Sequence, residues 1–233
     1  MSEIVSLIDH AVLHPTQTAA DVREACAMSV RLGIASVCVK PSHVPVATEC
    51  LAGSSVLPST VIGFPHGGTS TTAKVAETLT ACKEGAREVD MVVNIGQALN
   101  AEWDTVGADI AAVVEAAKSA GAITKVIFET GLMPTDDHKR KLCELSEAAG
   151  AAFVKTSTGF GFVKGDDGAL KSTGATVEDI RLMRGACRPQ VQVKASGGVR
   201  SYADAVKMVE AGATRLGTSA TEAIAQGAEG DSY

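Results

Sequence analysis

Two lysines close short apolar runs in the second half of this 233-residue chain: Lys155 after Phe153-Val154, and Lys194 after Val191-Gln192-Val193. Asp90 follows Glu88-Val89, and Asp9 and Lys40 end two further runs of the same kind. Adjacent strands lie about 4.8 Å apart, so inward-facing lysines on neighbouring strands bring two amines together. Two ammonium groups repel, and the pKa of one falls toward neutrality. A neutral lysine amine is the nucleophile that forms a Schiff base with a carbonyl. A lone lysine at a strand end serves equally well as a rim group or a structural ion pair. A pair of them, with Asp90 set between apolar residues, shifts the balance toward chemistry.

Glycines supply a second signal. Ser196-Gly197-Gly198-Val199-Arg200 follows the Lys194 run, and Leu216-Gly217-Thr218-Ser219 follows the last apolar run. Backbone N–H groups at helix starts bind phosphate, and glycine lets the ligand approach them closely. Each loop is equally readable as a tight strand-to-helix turn with no ligand.

The elements that must position these residues alternate along the whole chain. Candidate strands are Leu7–His10, Ala35–Val39, Val56–Ile62, Glu88–Val93, Ile123–Glu129, Ala151–Thr156, Val191–Ala195 and Thr214–Gly217. Helical patterns separate them. Thr18 and Asp21 cap a helix that stops at Gly33, and Ser201 opens another that ends near Gly212. Thr71–Gly85, Trp103–Ala120 and Thr135–Gly150 follow the same logic. Strands alternating with helices make parallel βαβ units, and about eight in this length favour a (β/α)8 TIM barrel, an α/β fold. In such a barrel the loops after the seventh and eighth strands form the usual phosphate site, and those are the two glycine loops. One domain over residues 1–233 is expected, with 226–233 a flexible tail. An open doubly wound sheet is the alternative, but Gly159-Phe160-Gly161 lacks the sequel of a dinucleotide-binding turn.

Composition excludes several classes. Lys plus Arg number 21 against 27 Asp plus Glu, a formal charge of −6 that offers no footprint for nucleic acid or an anionic membrane. No apolar stretch approaches the roughly 20 residues of a membrane span, and the start lacks a secretory pattern. The six cysteines form no CxxC pair and read as reduced thiols of a cytoplasmic protein. His10 and His14 stand four apart, but Pro15 follows and no HExxH occurs; neither a metal nor any other cofactor is expected.

The strings Val154-Lys155-Thr156-Ser157-Thr158-Gly159 and Val193-Lys194-Ala195-Ser196-Gly197-Gly198-Val199-Arg200 resemble the deoxyribose-phosphate aldolase family. Ile8-Asp9-His10, Val37-Cys38-Val39-Lys40-Pro41, Ile62-Gly63-Phe64-Pro65 and Glu88-Val89-Asp90 support the resemblance in order over nearly the whole chain. It implies a metal-free class I aldolase that splits 2-deoxy-D-ribose 5-phosphate into D-glyceraldehyde 3-phosphate and acetaldehyde. Lys155 would form the Schiff base, Lys194 would tune it and shuttle protons, and Asp90 and Asp9 would belong to the acid–base network. Thr158, Gly159, Gly197, Gly198, Gly217 and Ser219, with Val199 and Arg200 beside them, match the substrate and phosphate positions. The terminal Tyr233 would fold over the site and assist proton exchange. A homodimer is compatible with the family. The chain departs from it at Ala11 and His14, at Phe160, and in a longer Gly159–Gly174 loop carrying Lys164, Asp166, Asp167 and Lys171. Another Schiff-base aldolase or a phosphosugar isomerase on the same barrel, or a non-catalytic sugar-phosphate binder, remain the alternatives.

Overall fold

The structure is a computed structural model and describes residues 2–165 and 167–228. In chain order the strands are β1 (Ile8–Val12), β2 (Ser36–Val39), β3 (Leu57–Ile62), β4 (Glu88–Val92), β5 (Ile123–Ile127), β6 (Phe153–Lys155), β7 (Phe162–Lys164), β8 (Leu170–Ser172), β9 (Gln192–Ser196) and β10 (Arg215–Thr218). Eight of them close a parallel barrel in the order β1-β2-β3-β4-β5-β6-β9-β10, with β10 returning to β1. Each of the eight expected strands is found, and β9 and β10 are the seventh and eighth staves.

The helices are α1 (Ser2–Val5), α2 (Ala19–Leu32), α3 (Val44–Leu51), α4 (Thr71–Lys83), α5 (Ile95–Leu99), α6 (Trp103–Ser119), α7 (Asp136–Ala148), α8 (Val177–Ala186), α9 (Tyr202–Glu210) and α10 (Thr221–Gln226). Local chemistry sets their ends. The Thr18 N–H donates to the Asp21 carboxylate at 2.6 Å where α2 starts. At α9 the Asp204 N–H donates to Ser201 Oγ at 3.1 Å while Asp204 receives the Ser201 N–H at 3.2 Å, a reciprocal cap that satisfies two otherwise orphaned donors. Val22, Ile110, Leu142 and Ile180 on the helices' inner faces are fully buried against the barrel. The barrel strands are covered by helices outside and packed side chains inside; every residue of β4 is buried, as a parallel sheet requires.

Three features depart from the expectation. The long loop after β6 is an antiparallel hairpin of β7 and β8, with Phe162 paired to Ser172. Helix α3 was hidden by Pro45, which stands in its first turn, where a missing N–H costs nothing. At the other end, α10 runs through Gln226 and is capped by Gly227, so the expected tail begins inside a helix. Asp166 and residues 229–233, Tyr233 among them, lie outside the described residues. Among the described residues no helix is long and apolar enough to cross a membrane.

Candidate active site

Strand register brings the ionisable side chains together. Lys155 pairs with Lys194 across β6 and β9, Lys194 with Arg215 across β9 and β10, and Asp90 with Lys125 across β4 and β5. Residues opposite one another in a ladder share a face of the sheet, here the barrel interior.

Asp90 sits at the centre of the cluster. Its Oδ2 accepts from Lys155 Nζ and from Lys194 Nζ, each at 2.8 Å, and its Oδ1 accepts from Lys125 Nζ at 2.9 Å. Lys194 also reaches Asp9 Oδ2 at 2.5 Å. Lys125 bonds Glu88 at 2.5 Å and approaches Asp9 at 3.2 Å. Arg215 bridges Asp9 at 2.7 Å and Glu88 at 2.9 Å, and Ser36 Oγ donates to Asp9 at 2.6 Å.

Four cations thus face three carboxylates, so one positive charge is surplus if every group ionises. Lys155 carries the surplus. Burial pushes its amine below the ordinary 10.5, and the Lys194 charge adds to the fall against the pull of Asp90. For Lys194 burial acts the same way, but Asp9 and Asp90 outweigh it and hold the group above 10.5. Lys125, also fully buried, is held well above by Asp9, Asp90 and Glu88. Burial disfavours the Asp90 carboxylate too, yet Lys125, Lys155 and Lys194 overcome it and keep its pKa well below the ordinary 3.8. The same contest, decided by Lys125, Lys194 and Arg215, lowers Asp9. Repulsion between two lysines is therefore the smaller cause at Lys155, and removal from water the larger.

Above this cluster opens a pocket of about 540 Å³ counting its mouth. Lys155, Lys194 and Asp9 form its floor, while Thr158, Gly159, Gly197, Gly198, Val199, Gly217 and Ser219 line it. Ala11, Leu13, Cys38 and Phe160 supply an apolar side. Gly197 and Gly198 have φ of 84° and 82°, a left-handed pair that a side chain would strain. Gly217 is required by contact: a Cβ there would meet Ser196 Cβ at 2.9 Å and Lys194 Cε at 3.1 Å. The three loops are bonded to each other. Ser196 Oγ donates to Ser157 O at 2.7 Å, and Thr218 Oγ1 donates to Val199 O at 2.7 Å.

Not every candidate joins the site. Asp90 lies beneath the floor and does not line the pocket. Arg200 is exposed outside it, with its N–H directed at the Asp204 carboxylate at 3.4 Å. Lys40 staples the β1–α2 loop by donating to the carbonyls of His14, Pro15 and Gln17. His10 is tied to Thr221 Oγ1 at 2.8 Å, and burial pushes its imidazole down to about 4.

Sequence reasoning passed over Lys125, Glu88, Arg215 and Ser36. The available signal was alternation. Glu88 stands two residues before Asp90 on one strand and so shares its face, and Lys125 is a charge inside an apolar run.

An ionisable cluster beneath an open pocket, at the strand C-termini of a closed barrel, is the arrangement of a barrel enzyme. The family model described as DeoC/LacD family aldolase matches residues 4–229. The chain belongs to that family. It is 48% identical to the deoxyribose-phosphate aldolase of Carboxydothermus hydrogenoformans over 100% of this chain and 98% of the relative. It is 49% identical to that of Lysinibacillus sphaericus over 97% of this chain and 96% of the relative. Among solved structures, the tetrameric deoxyribose phosphate aldolase of Aeropyrum pernix superposes with a TM-score of 0.86 at 31% identity, covering 97% of this chain and 90% of that one.

Proposed function

We propose that this chain reversibly cleaves 2-deoxy-D-ribose 5-phosphate into D-glyceraldehyde 3-phosphate and acetaldehyde through an imine on Lys155. The observation that carries the reading is the surplus cation: of the three lysines in the cluster, Lys155 alone is pushed toward its neutral form, and it faces the pocket. Its amine adds to the C1 aldehyde, and the carbinolamine loses water to give a protonated imine. The C3 hydroxyl then gives up its proton, the C2–C3 bond breaks, and its electrons pass into the imine to leave an enamine. Protonation at C2 and addition of water return acetaldehyde and the free amine.

The oxygen of Asp90 shared by Lys155 and Lys194 is a short path for these protons, since Lys194 stays charged as a donor and Asp90 stays ionised as an acceptor. The Gly197-Gly198 and Gly217–Ser219 loops suit the remote phosphate, which fixes the sugar's position. The cluster's carboxylates are already engaged by lysine and arginine, so EDTA is expected to leave the rate unchanged. Tyr233 is proposed to assist protonation of the enamine; Tyr233→Phe would slow deuterium exchange into acetaldehyde while leaving imine formation intact. The six cysteines, none in a disulfide, favour a cytoplasmic site. Self-association, expected as a homodimer, draws support from the tetrameric Aeropyrum relative.

Acetaldehyde with borohydride tests the chemistry. An ethyl group on Lys155, lost in Lys155→Ala, supports it. An unlabelled Lys155, or label on another lysine, overturns it and favours an isomerase or a simple binder.

A further inference from the structure

Glu129 follows β5 and is almost wholly buried, at 1% exposure, with φ 54° and ψ 60°, left-handed values that residues with a side chain rarely take. Its carboxylate gathers donors from two other segments. Oε2 accepts the Thr158 N–H at 3.1 Å and also the Thr158 hydroxyl, and Oε1 accepts from Thr173 Oγ1 at 3.4 Å. Thr158 Oγ1 in turn receives the Phe160 N–H at 2.9 Å. Thr173 sits where the β7–β8 hairpin returns; its N–H donates to Gly161 O at 2.9 Å, and the Ala175 N–H donates to Gly197 O at 3.0 Å. Gly161 makes room for the carboxylate, because a Cβ there would lie 2.8 Å from Glu129 Cδ. One side chain therefore joins the end of β5, the loop that follows Lys155, and the stem of the inserted hairpin, and through that stem the Gly197 loop. Glu129 itself does not line the pocket; Thr158, Gly159 and Phe160 stand between.

We propose that Glu129 is a positioning residue that holds the Thr158–Phe160 wall and the hairpin stem in place, so that it governs how the phosphorylated substrate binds and not how the imine forms. The substrate in this statement rests on the function proposed above. The geometry asks for an acceptor toward Thr158 and, on the other branch of one forked side chain, a group that can share a hydrogen bond with the Thr173 hydroxyl, which can donate or accept. A glutamine meets that demand, with its carbonyl toward Thr158 and its amide donating to Thr173 Oγ1; an alanine does not.

Amide hydrogen exchange and steady-state kinetics on Glu129→Ala and Glu129→Gln decide the matter. Glu129→Ala should speed exchange at Phe160 and Thr173 and raise KM for 2-deoxy-D-ribose 5-phosphate by about tenfold, with kcat nearly held. Borohydride trapping of acetaldehyde on Lys155 should be unchanged, and Glu129→Gln should behave as wild type in all three. If Glu129→Ala does not fold, Thr173→Val removes one arm of the clamp and should shift exchange and KM in the same direction by less. Unchanged exchange at Phe160 and Thr173 overturns the proposal, as does lost trapping with an unchanged KM, which would put Glu129 in the chemistry. A wild-type protein that does not turn over the sugar phosphate sinks the proposed function instead, and the exchange result still rules on Glu129.

Discussion

Lys155 and Lys194 stand opposite each other in register on β6 and β9, and both amines donate to the same oxygen of Asp90. The two groups are chemically alike but differ in partners: Lys194 has Asp9 as well, at 2.5 Å, and Lys155 shares Asp90 with two other lysines. That difference is what would divide one residue type into the proposed nucleophile and the proposed proton donor.

Replacing Lys194 by methionine removes a neighbouring positive charge and leaves Asp90 freer to favour a charged Lys155. The pKa of Lys155 should rise, and the pH profile of borohydride trapping should move to higher pH. Turnover should fall by roughly 10²-fold or more, the usual contribution of a placed proton donor. An unmoved trapping profile would mean that burial alone sets the nucleophile.

Charge balance predicts opposite effects on stability for two lysines of the same cluster. Lys125→Met leaves Asp9, Glu88 and Asp90 short of a buried partner and should cost about 3–5 kcal/mol. Lys155→Met removes the surplus cation, so it should abolish trapping while the thermal midpoint stays level or rises. Equal losses of stability in the two variants would count against a surplus.

The carboxylates govern the acid side. Asp9 and Asp90 have folded pKa values below the ordinary 3.8, so their stabilisation is complete above that pH and is lost as pH falls through the folded values. Lys125 and Lys194 are raised above 10.5, so theirs is complete below that pH and is lost as pH rises through the folded values. Lys155 runs the other way, its lowered pKa adding stability as pH climbs toward 10.5. Urea midpoints measured against pH should therefore be flat near neutrality, drop steeply below 3.8, and hold through pH 9. A protein that stays fully stable well below pH 3 would contradict the assignment.

Gly217→Ala inserts a methyl 3.1 Å from Lys194 Cε and 2.9 Å from Ser196 Cβ, tighter than ordinary contact. Gly217 has no left-handed φ, so the strain comes from contact alone, and Ser196 and Lys194 have to shift to relieve it. The displaced lysine should lower kcat by about tenfold or more, since small misplacements of catalytic groups are costly. Kinetics beside a melting curve separate the two effects.

The barrel was legible because its staves are apolar runs between capped helices, and because two glycine loops fell after the seventh and eighth of them. Lys155, Lys194, Asp9 and Asp90 stood out as polar residues near strand ends. Lys125, Glu88 and Arg215 lie deeper in their strands, where a charge reads as an outward-facing residue until ladder register shows what stands opposite. Glu129 was hidden for another reason: its partners, Thr158 and Thr173, are distant in sequence and meet it only across a hairpin that composition presents as a polar loop.

The cluster has a bearing on how the chain is made. Asp9, Glu88 and Asp90 leave the ribosome with the first five staves, where Lys125 is the one cation of the cluster, while Lys155, Lys194 and Arg215 all come later. A nascent chain of five staves cannot bury its carboxylates without severe penalty, because their counter-charges have not yet been translated. Closure of the barrel is thereby deferred until the final staves emerge, and two fragments cut between β5 and β6 would carry opposite charge on the surfaces that have to meet.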